Sequence, residues 1–287
     1  MMRSLFSGVS GLRTHQLRMD VIADNIANVN TVGFKRSTVT FKDVFYQTLR
    51  GGSAGGTGTG GTNPQQIGLG VTLNSIDVVH TQGAAASTGN GTDLMIQGDG
   101  FFRVSANPED SNTPVYYTRA GAFHFDNNGD LVTADGLYVI GYDANVDTTT
   151  GKVTPGTNEK KINVPATSQS YSIDKTGVVR YVDSNGATQV AGVITISKFN
   201  NPAGLEKLGQ NLYMKTSSAG TENTGTPEDS SKGLANTSII PSALEMSNVD
   251  LAQEFTDMII TERGFQANAR TITVSDQMLQ ELVNLKR

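Results

Sequence analysis

Apolar residues recur at every seventh position at both ends of this 287-residue chain, and nearly everything between reads as short strands and turns. The N-terminal row is Leu5, Leu12, Met19 and Ile26; the C-terminal row is Leu251, Met258, Phe265, Ile272 and Leu279. A strict seven-residue period keeps one helical stripe turned toward a neighbour, because about 3.5 residues per turn is the supercoil repeat. The companion rows four residues on hold Val9, Gln16, Ala23, Asn30 and Phe255, Glu262, Ala269, Asp276, Val283, mixing small and polar side chains with apolar ones. Such a seam is imperfect for a two-helix zipper. Further apolar residues lie off the stripe (Val21, Ile22, Val29, Ile259, Ile260, Met278, Leu282, Leu285), so each helix asks for cover on more than one side.

The first helix is expected from about Ser4 to Asn30, stopped by Asn28, Asn30 and Gly33. Gly8 and Gly11 inside it each cost about 1 kcal/mol relative to Ala, so it needs neighbours to stay folded. Ser247 is the expected N-cap of the last helix, with Asp250 three residues on in a capping-box-like arrangement. Continuous to Leu285, that helix spans about 55 Å at about 1.5 Å per residue. A helix that long is expected to protrude from a compact core. Apolar residues at helical spacing ordinarily mean a core-facing helix. Two such helices at opposite ends, one too long to hide and one weakened by glycines, favour association instead.

Between the helices, Thr38 to Leu49 fits an extended stretch or a second short helix, and the Gly-rich run from Gly51 to Thr62 reads as a long exposed loop. From Ile67 to about Ile240 apolar alternation is broken by turn dipeptides. Asn128-Gly129 and Asn185-Gly186 are hairpin signals, and together they imply an all-β middle. The polar segments Asp143 to Glu159 and Thr216 to Thr237 are expected as surface excursions. The fold class is therefore α+β: a discontinuous terminal α-helical coiled-coil domain, with residues 1–75 packing on 243–287, plus a central all-β domain over 76–242.

Composition removes several functions. With 32 glycines, 17% charged residues and abundant Thr, Ser and Asn, the chain is turn-rich rather than a helical enzyme. A net charge of -5 gives no basic field for nucleic acid or anionic lipid. Without cysteine there are no disulfides and no thiolate metal sites. The first residues lack the continuous apolar core of a secretory signal, and no apolar run reaches the roughly eighteen residues that a membrane span needs. Asp126-Asn127-Asn128-Gly129-Asp130 resembles a calcium loop, but its glycine and the residue at Leu137 are misplaced for one, and a hairpin turn explains it. Ser172-Ile173-Asp174-Lys175 matches the S-x-x-K pattern without its helical setting, and Gly98-Asp99-Gly100 leads into strand rather than a phosphate-binding helix. His80 and His124 lack any ligand cluster and read as satisfied or solvated side chains. No catalytic, metal-binding or cofactor-binding constellation emerges.

Four segments carry a family likeness. Asn25-Ile26-Ala27-Asn28-Val29-Asn30-Thr31-Val32-Gly33-Phe34-Lys35 and Ser247-Asn248-Val249-Asp250-Leu251 resemble the N- and C-terminal signatures of bacterial flagellar axial proteins, the rod and hook family. Thr92 to Phe102 and Tyr117 to Phe123 are similar to β-domain motifs of that family. The resemblance implies a structural subunit that polymerises into a helical tube, helices inside and β domain outside. It would bury Leu5, Val9, Leu12, Met19, Ile26, Leu251, Phe255, Met258, Phe265, Ile272, Leu279 and Val283 between copies. It also implies export through the flagellar type III apparatus and helices that order on joining the growing end.

Within the family, Phe265-Gln266-Ala267-Asn268-Ala269 and the ending Leu279 to Arg287 resemble hook subunits. A hook subunit, holding torque with its helices while polar outer loops slide, is accordingly the first expectation. Its implied partners are copies of itself, adjoining rod and hook-filament junction proteins and the hook cap, with no nucleic acid and no small-molecule substrate. Two features fit a distal rod subunit instead. The middle is short for a hook protein, and the Gly-rich insertion resembles the loop with which rod proteins stiffen their packing. A secreted oligomeric adhesion module is the alternative of another class.

Overall fold

Two helices and a series of short strands account for the regular structure in the computed structural model, which describes residues 2–285 except 57, 59, 111 and 147–152. Helix α1 spans Met2–Ala27 and helix α2 spans Leu251–Leu285. The chain divides into two compact units. The first holds residues 1–27, 37–79 and 249–287, and the second holds 28–36 and 80–248.

In the first unit, α2 starts later than expected. The Asp250 carboxylate accepts from the backbone N–H of Ala252 (2.9 Å) and Gln253 (3.4 Å), so Asp250 rather than Ser247 is the cap. An Asp directly ahead of the helix reaches the free N2 and N3 donors and suits the helix dipole, whereas Ser247 lies a turn too early. Residues 38–49 are extended: Ser37–Asp43 pairs antiparallel with Val71–Val78, and Tyr46–Arg50 pairs with Gln65–Gly68. The Gly-rich segment continues that second ribbon, since Ser53 and Thr62 exchange two backbone hydrogen bonds of 3.0 Å.

Asn25 joins the end of α1 to the first strand. Its side chain accepts from Ser37 N–H and donates to Ser37 C=O, both at 2.9 Å, and also donates to Glu254 of α2 at 3.2 Å. An amide carries both a donor and an acceptor, so one Asn satisfies two backbone groups that would otherwise be buried unpaired.

In the second unit, every strand pairing among the described residues is antiparallel. Strands Val178–Val182, Thr188–Ile194, Tyr138–Val146, Phe101–Ser105 and Val115–Thr118 lie side by side in a thirteen-stranded sheet. Both sequence-predicted hairpins form, with Gly129 at φ +82° and Gly186 at φ +77°, a region that glycine enters without steric cost. Strand Phe101–Ser105 is buried on both faces. Phe102 and Val104 enter the main core with Leu94, Leu131 and Ile194, while Phe101 packs with Tyr117, Phe199 and Tyr213. This follows the two-residue side-chain period of a strand.

One expectation about polar segments is refined and one corrected. Residues 143–146 and 153–159 form part of a hairpin, Tyr138–Val146 against Val153–Lys161, whose described side chains there are half-buried or exposed, as a surface segment requires; its tip lies outside the described residues. Segment 216–237 supplies strand Glu222–Gly225, paired with Ile196–Phe199, and buries Ala219 and Leu234 completely. Composition hid both, because a two-sided strand built from Thr, Asn and Gly carries no apolar alternation.

Segments with the family signatures meet at Glu245. Its carboxylate receives Lys35 Nζ at 2.6 Å and Arg119 at 3.2 Å, plus the Gly83 N–H at 2.9 Å, while its carbonyl accepts from Gly33 N–H at 2.7 Å. Lys35 and Glu245 are wholly buried. Gly33 is at φ +69° and lies against Arg119 so closely that a Cβ would come within 2.7 Å of its carbonyl carbon. Burial lowers the Lys35 pKa, and Glu245 opposes that shift.

Glu245→Gln strands two buried cations and is expected to destabilise this unit by about 3–5 kcal/mol. Lys35→Met leaves Arg119 and Glu245 as a matched pair and should cost less. Urea unfolding followed by circular dichroism checks both, and an unchanged midpoint for Glu245→Gln would refute the assignment.

Candidate assembly surface

Helices α1 and α2 pack against each other through small and polar residues. Their contacts run from Ser4–Ser275 (3.3 Å) through Gly11–Asn268 and His15–Gly264 to Arg18–Asp257 (2.9 Å) and Asn25–Glu254, so the helices are antiparallel. A Cβ on Gly8 would stand 3.0 Å from Thr271 Oγ1, one on Gly11 2.7 Å from Asn268 Nδ2, and one on Gly264 2.6 Å from the His15 ring. Glycine at these three places lets the backbones approach. Buried hydroxyls are satisfied locally: Thr14 donates to the Gly11 carbonyl at 3.0 Å, Thr261 to Asp257 at 2.6 Å and Ser275 to Thr271 at 2.8 Å. Each returns its proton to the preceding turn and leaves no buried donor unmade. Burial, with Arg18 adding to it, lowers the His15 pKa.

The seam leaves the large apolar side chains outside. On α2 the buried residues are Glu254, Thr261 and Ser275, none of them apolar; on α1 the buried large apolar residue is Ile22. Of the twelve residues expected at the interface, Leu5, Leu12, Met19, Ile26, Met258, Ile272 and Leu279 are half-buried. Val9, Leu251, Phe255, Phe265 and Val283 are exposed, Phe255 by 50% and Val283 by 67%. Ile259, Ile260, Met278, Leu282 and Leu285 are exposed as well, as are Phe6, Leu17 and Val274, which lie off the seven-residue rows. The seam residues themselves were also missed. Their signal is a second seven-residue row, Glu254, Thr261, Asn268, Ser275, that is polar throughout.

Exposed large apolar residues recur along both helices, as they do on interaction surfaces rather than where such residues are scattered singly. Beside the seam, Met19 and Phe265 line a groove of about 440 Å³ with His15, Gln16, Asp20 and Glu262. The ribbon adds a second exposed group in the same unit: Phe45, Tyr46, Leu49, Ile67 and Leu69. These surfaces can associate; they hold no reactive constellation. Among the described residues no cluster of His, Asp or Glu could hold a metal. The calcium-like segment is a turn in which Gly129 N–H donates to the Asp126 carbonyl at 2.8 Å, and buried Asp130 is held by Lys161 and Asn163. Ser172 sits in strand Ser170–Ile173, not on a helix. His124 is exposed, whereas His80 is half-buried, with both ring nitrogens out of solvent and the Pro202 backbone as the polar group against the ring.

Comparison with known proteins agrees with this arrangement. Residues 5–35 match the family described as "Flagella basal body rod protein" and residues 240–285 match "Flagellar basal body rod FlgEFG protein C-terminal". Residues 95–181 match "Flagellar hook protein FlgE/F/G D1 domain". The flagellar basal-body rod protein FlgG of Bacillus subtilis is 48% identical over 288 aligned positions, covering 100% of both chains. FlgG of Agrobacterium fabrum is 38% identical over 96% of this chain and 97% of its own. The flagellar hook protein FlgE of Borreliella burgdorferi is 32% identical over 451 aligned positions, covering 100% of both. With exposed apolar helices at its ends, relatives that are structural proteins rather than enzymes and full-length identity to rod and hook subunits, this chain belongs to the flagellar rod and hook protein family.

Proposed function

We propose that this chain is a distal rod subunit of the flagellar basal body, polymerising into a helical tube that carries torque. The observation that supports rod over hook is length without insertion. The Bacillus subtilis rod protein aligns over 288 positions, against 287 residues here, whereas the 451 positions aligned with the Borreliella burgdorferi hook protein far exceed this chain. The hook reading keeps the 32% identity across that whole alignment in its favour. Its need for freely sliding polar loops fits segment 216–237 poorly, since that segment is paired in the sheet and buries Leu234.

Assembly follows from the outward apolar faces of α1 and α2. Copies of the same chain cover Leu5, Val9, Leu12, Met19, Ile26, Leu251, Phe255, Met258, Phe265, Ile272, Leu279 and Val283. Burying one such large side chain is worth about 1.5–3 kcal/mol, so a few per subunit suffice to drive addition to a growing end. The exposed ribbon from Tyr46 to Gly68 supplies further contact and so stiffens the tube. Neighbouring rod and hook subunits cap the ends, and the type III apparatus delivers the chain. Heterologous contacts of this kind grow without closing, unlike the small closed oligomer of an adhesion module.

Phe265→Asp or Phe255→Asp should raise the critical concentration for assembly at least about tenfold, since about 1.4 kcal/mol per subunit is already one decade. The β unit should stay folded, and sedimentation with circular dichroism reads both properties. Normal assembly of both variants would refute the surface. In cells lacking the protein, electron microscopy should show truncated rods without hooks; complete rods lacking only hooks would favour the hook subunit instead.

A further inference from the structure

One cavity in the second unit has walls that polymer formation leaves unexplained. It is a partly open pocket of about 190 Å³ lined by His80, Asp99, Phe101, Arg119, Lys198 and Pro202, among others. Nε of Arg119 is buried there without a hydrogen-bond partner, and both ring nitrogens of His80 are buried with only the Pro202 backbone as a polar neighbour. Buried polar groups are ordinarily satisfied, and each exception calls for an explanation. Arg119 is 4% exposed; its other nitrogens reach Glu245 at 3.2 Å and the Gly98 carbonyl at 2.8 Å. Phe101 walls the site, with the guanidinium carbon 5.5 Å from its ring centre and the His80 ring edge-on at 5.5 Å.

Charge in the surroundings is unbalanced. Lys35 and Arg119, both buried, share the single carboxylate of Glu245. Lys198 at the rim is paired with Asp99 at 2.9 Å, but that carboxylate is 74% exposed. Lys207 lies near enough to add to the positive field at His80. Among the buried groups, Lys35 and Arg119 against Glu245 leave one positive charge in excess, and a buried excess is costly unless an anion meets it. Size narrows the choice: the cavity is below the roughly 300 Å³ at which small-molecule sites begin, yet several times the ~30 Å³ share of one water.

We propose that this cavity is an oxyanion site, taking a carboxylate, phosphate or sulfate group on the Arg119 guanidinium, a His80 ring N–H and the Lys198 ammonium. The same oxygen chemistry is available from a free anion or from an Asp or Glu side chain of a second copy of the chain. His80 reports occupancy: burial and the cations Arg119, Lys35 and Lys207 push its pKa down to about 4, and a bound anion reverses the cationic part of that shift.

The test is imidazole NMR on the full-length chain labelled at its three histidines, titrated with phosphate, sulfate or acetate against chloride at equal ionic strength. The expected result is a saturable shift of the His80 signals alone, a rise in the His80 pKa, and at least tenfold weaker binding in Lys198→Met. His80→Phe should fold and lose the thermal stabilisation that the anion confers. A response in the monomer identifies a free-anion site. No response in the monomer but a raised His80 pKa after assembly identifies a neighbour's carboxylate, again supporting the site. A His80 indifferent to anions and to assembly means the cavity holds water alone and overturns the proposal.

Discussion

Close approach of two helix backbones is the constraint on which the first unit depends. Gly8, Gly11 and Gly264 remove the side chains that would hold α1 and α2 apart, and Thr14, Thr261 and Ser275 fill the seam with hydroxyls that bond within their own helices. A seam so narrow has no room for Phe or Leu. The large apolar residues are consequently turned outward and left exposed in the single chain, and the proposed association rests on that packing geometry. The same glycines that weaken α1 as an isolated helix make its pairing with α2 close.

The second unit is organised around a buried carboxylate rather than a seam. Glu245 draws together Gly33, Lys35, Gly83 and Arg119, residues from three separate stretches of chain. Breaking a buried ion cluster by removing one partner is costly, while its net worth against an apolar replacement is small. Its value here is therefore positional. It also holds Arg119, which lines the cavity beside His80, so the device that fixes the fold shares a residue with the proposed anion site.

Much of this architecture was legible in the residues. The α+β class, both terminal helices and the Asn128-Gly129 and Asn185-Gly186 hairpins follow from periodicity and turn chemistry. The heptads mark apolar rows on both helices, yet Phe265 and Leu251 are exposed beside the intramolecular seam rather than buried in it. Seven-residue spacing identifies a stripe without saying which partner it faces, and the polar row Glu254, Thr261, Asn268, Ser275 has the same period. The N-cap was misplaced by three residues because Ser247 and Asp250 are both competent caps and only backbone geometry chooses between them. Segment 216–237 looked like a loop because its strand is polar on both sides. Long-range pairs such as Lys35–Glu245 and Arg119–Glu245 leave no local signal at all, since nothing in the sequence spacing brings them together.

Absence of native cysteine makes the central claim directly measurable. Single cysteines placed at Phe255 and Val283, both exposed in the single chain, can be alkylated in the monomer and in the assembled polymer. Alkylation at both positions should be fast in the monomer and slow by at least about tenfold in the polymer, with a cysteine at exposed Ser184 of the β unit unchanged. Equal rates before and after assembly at Phe255 and Val283 would contradict the account.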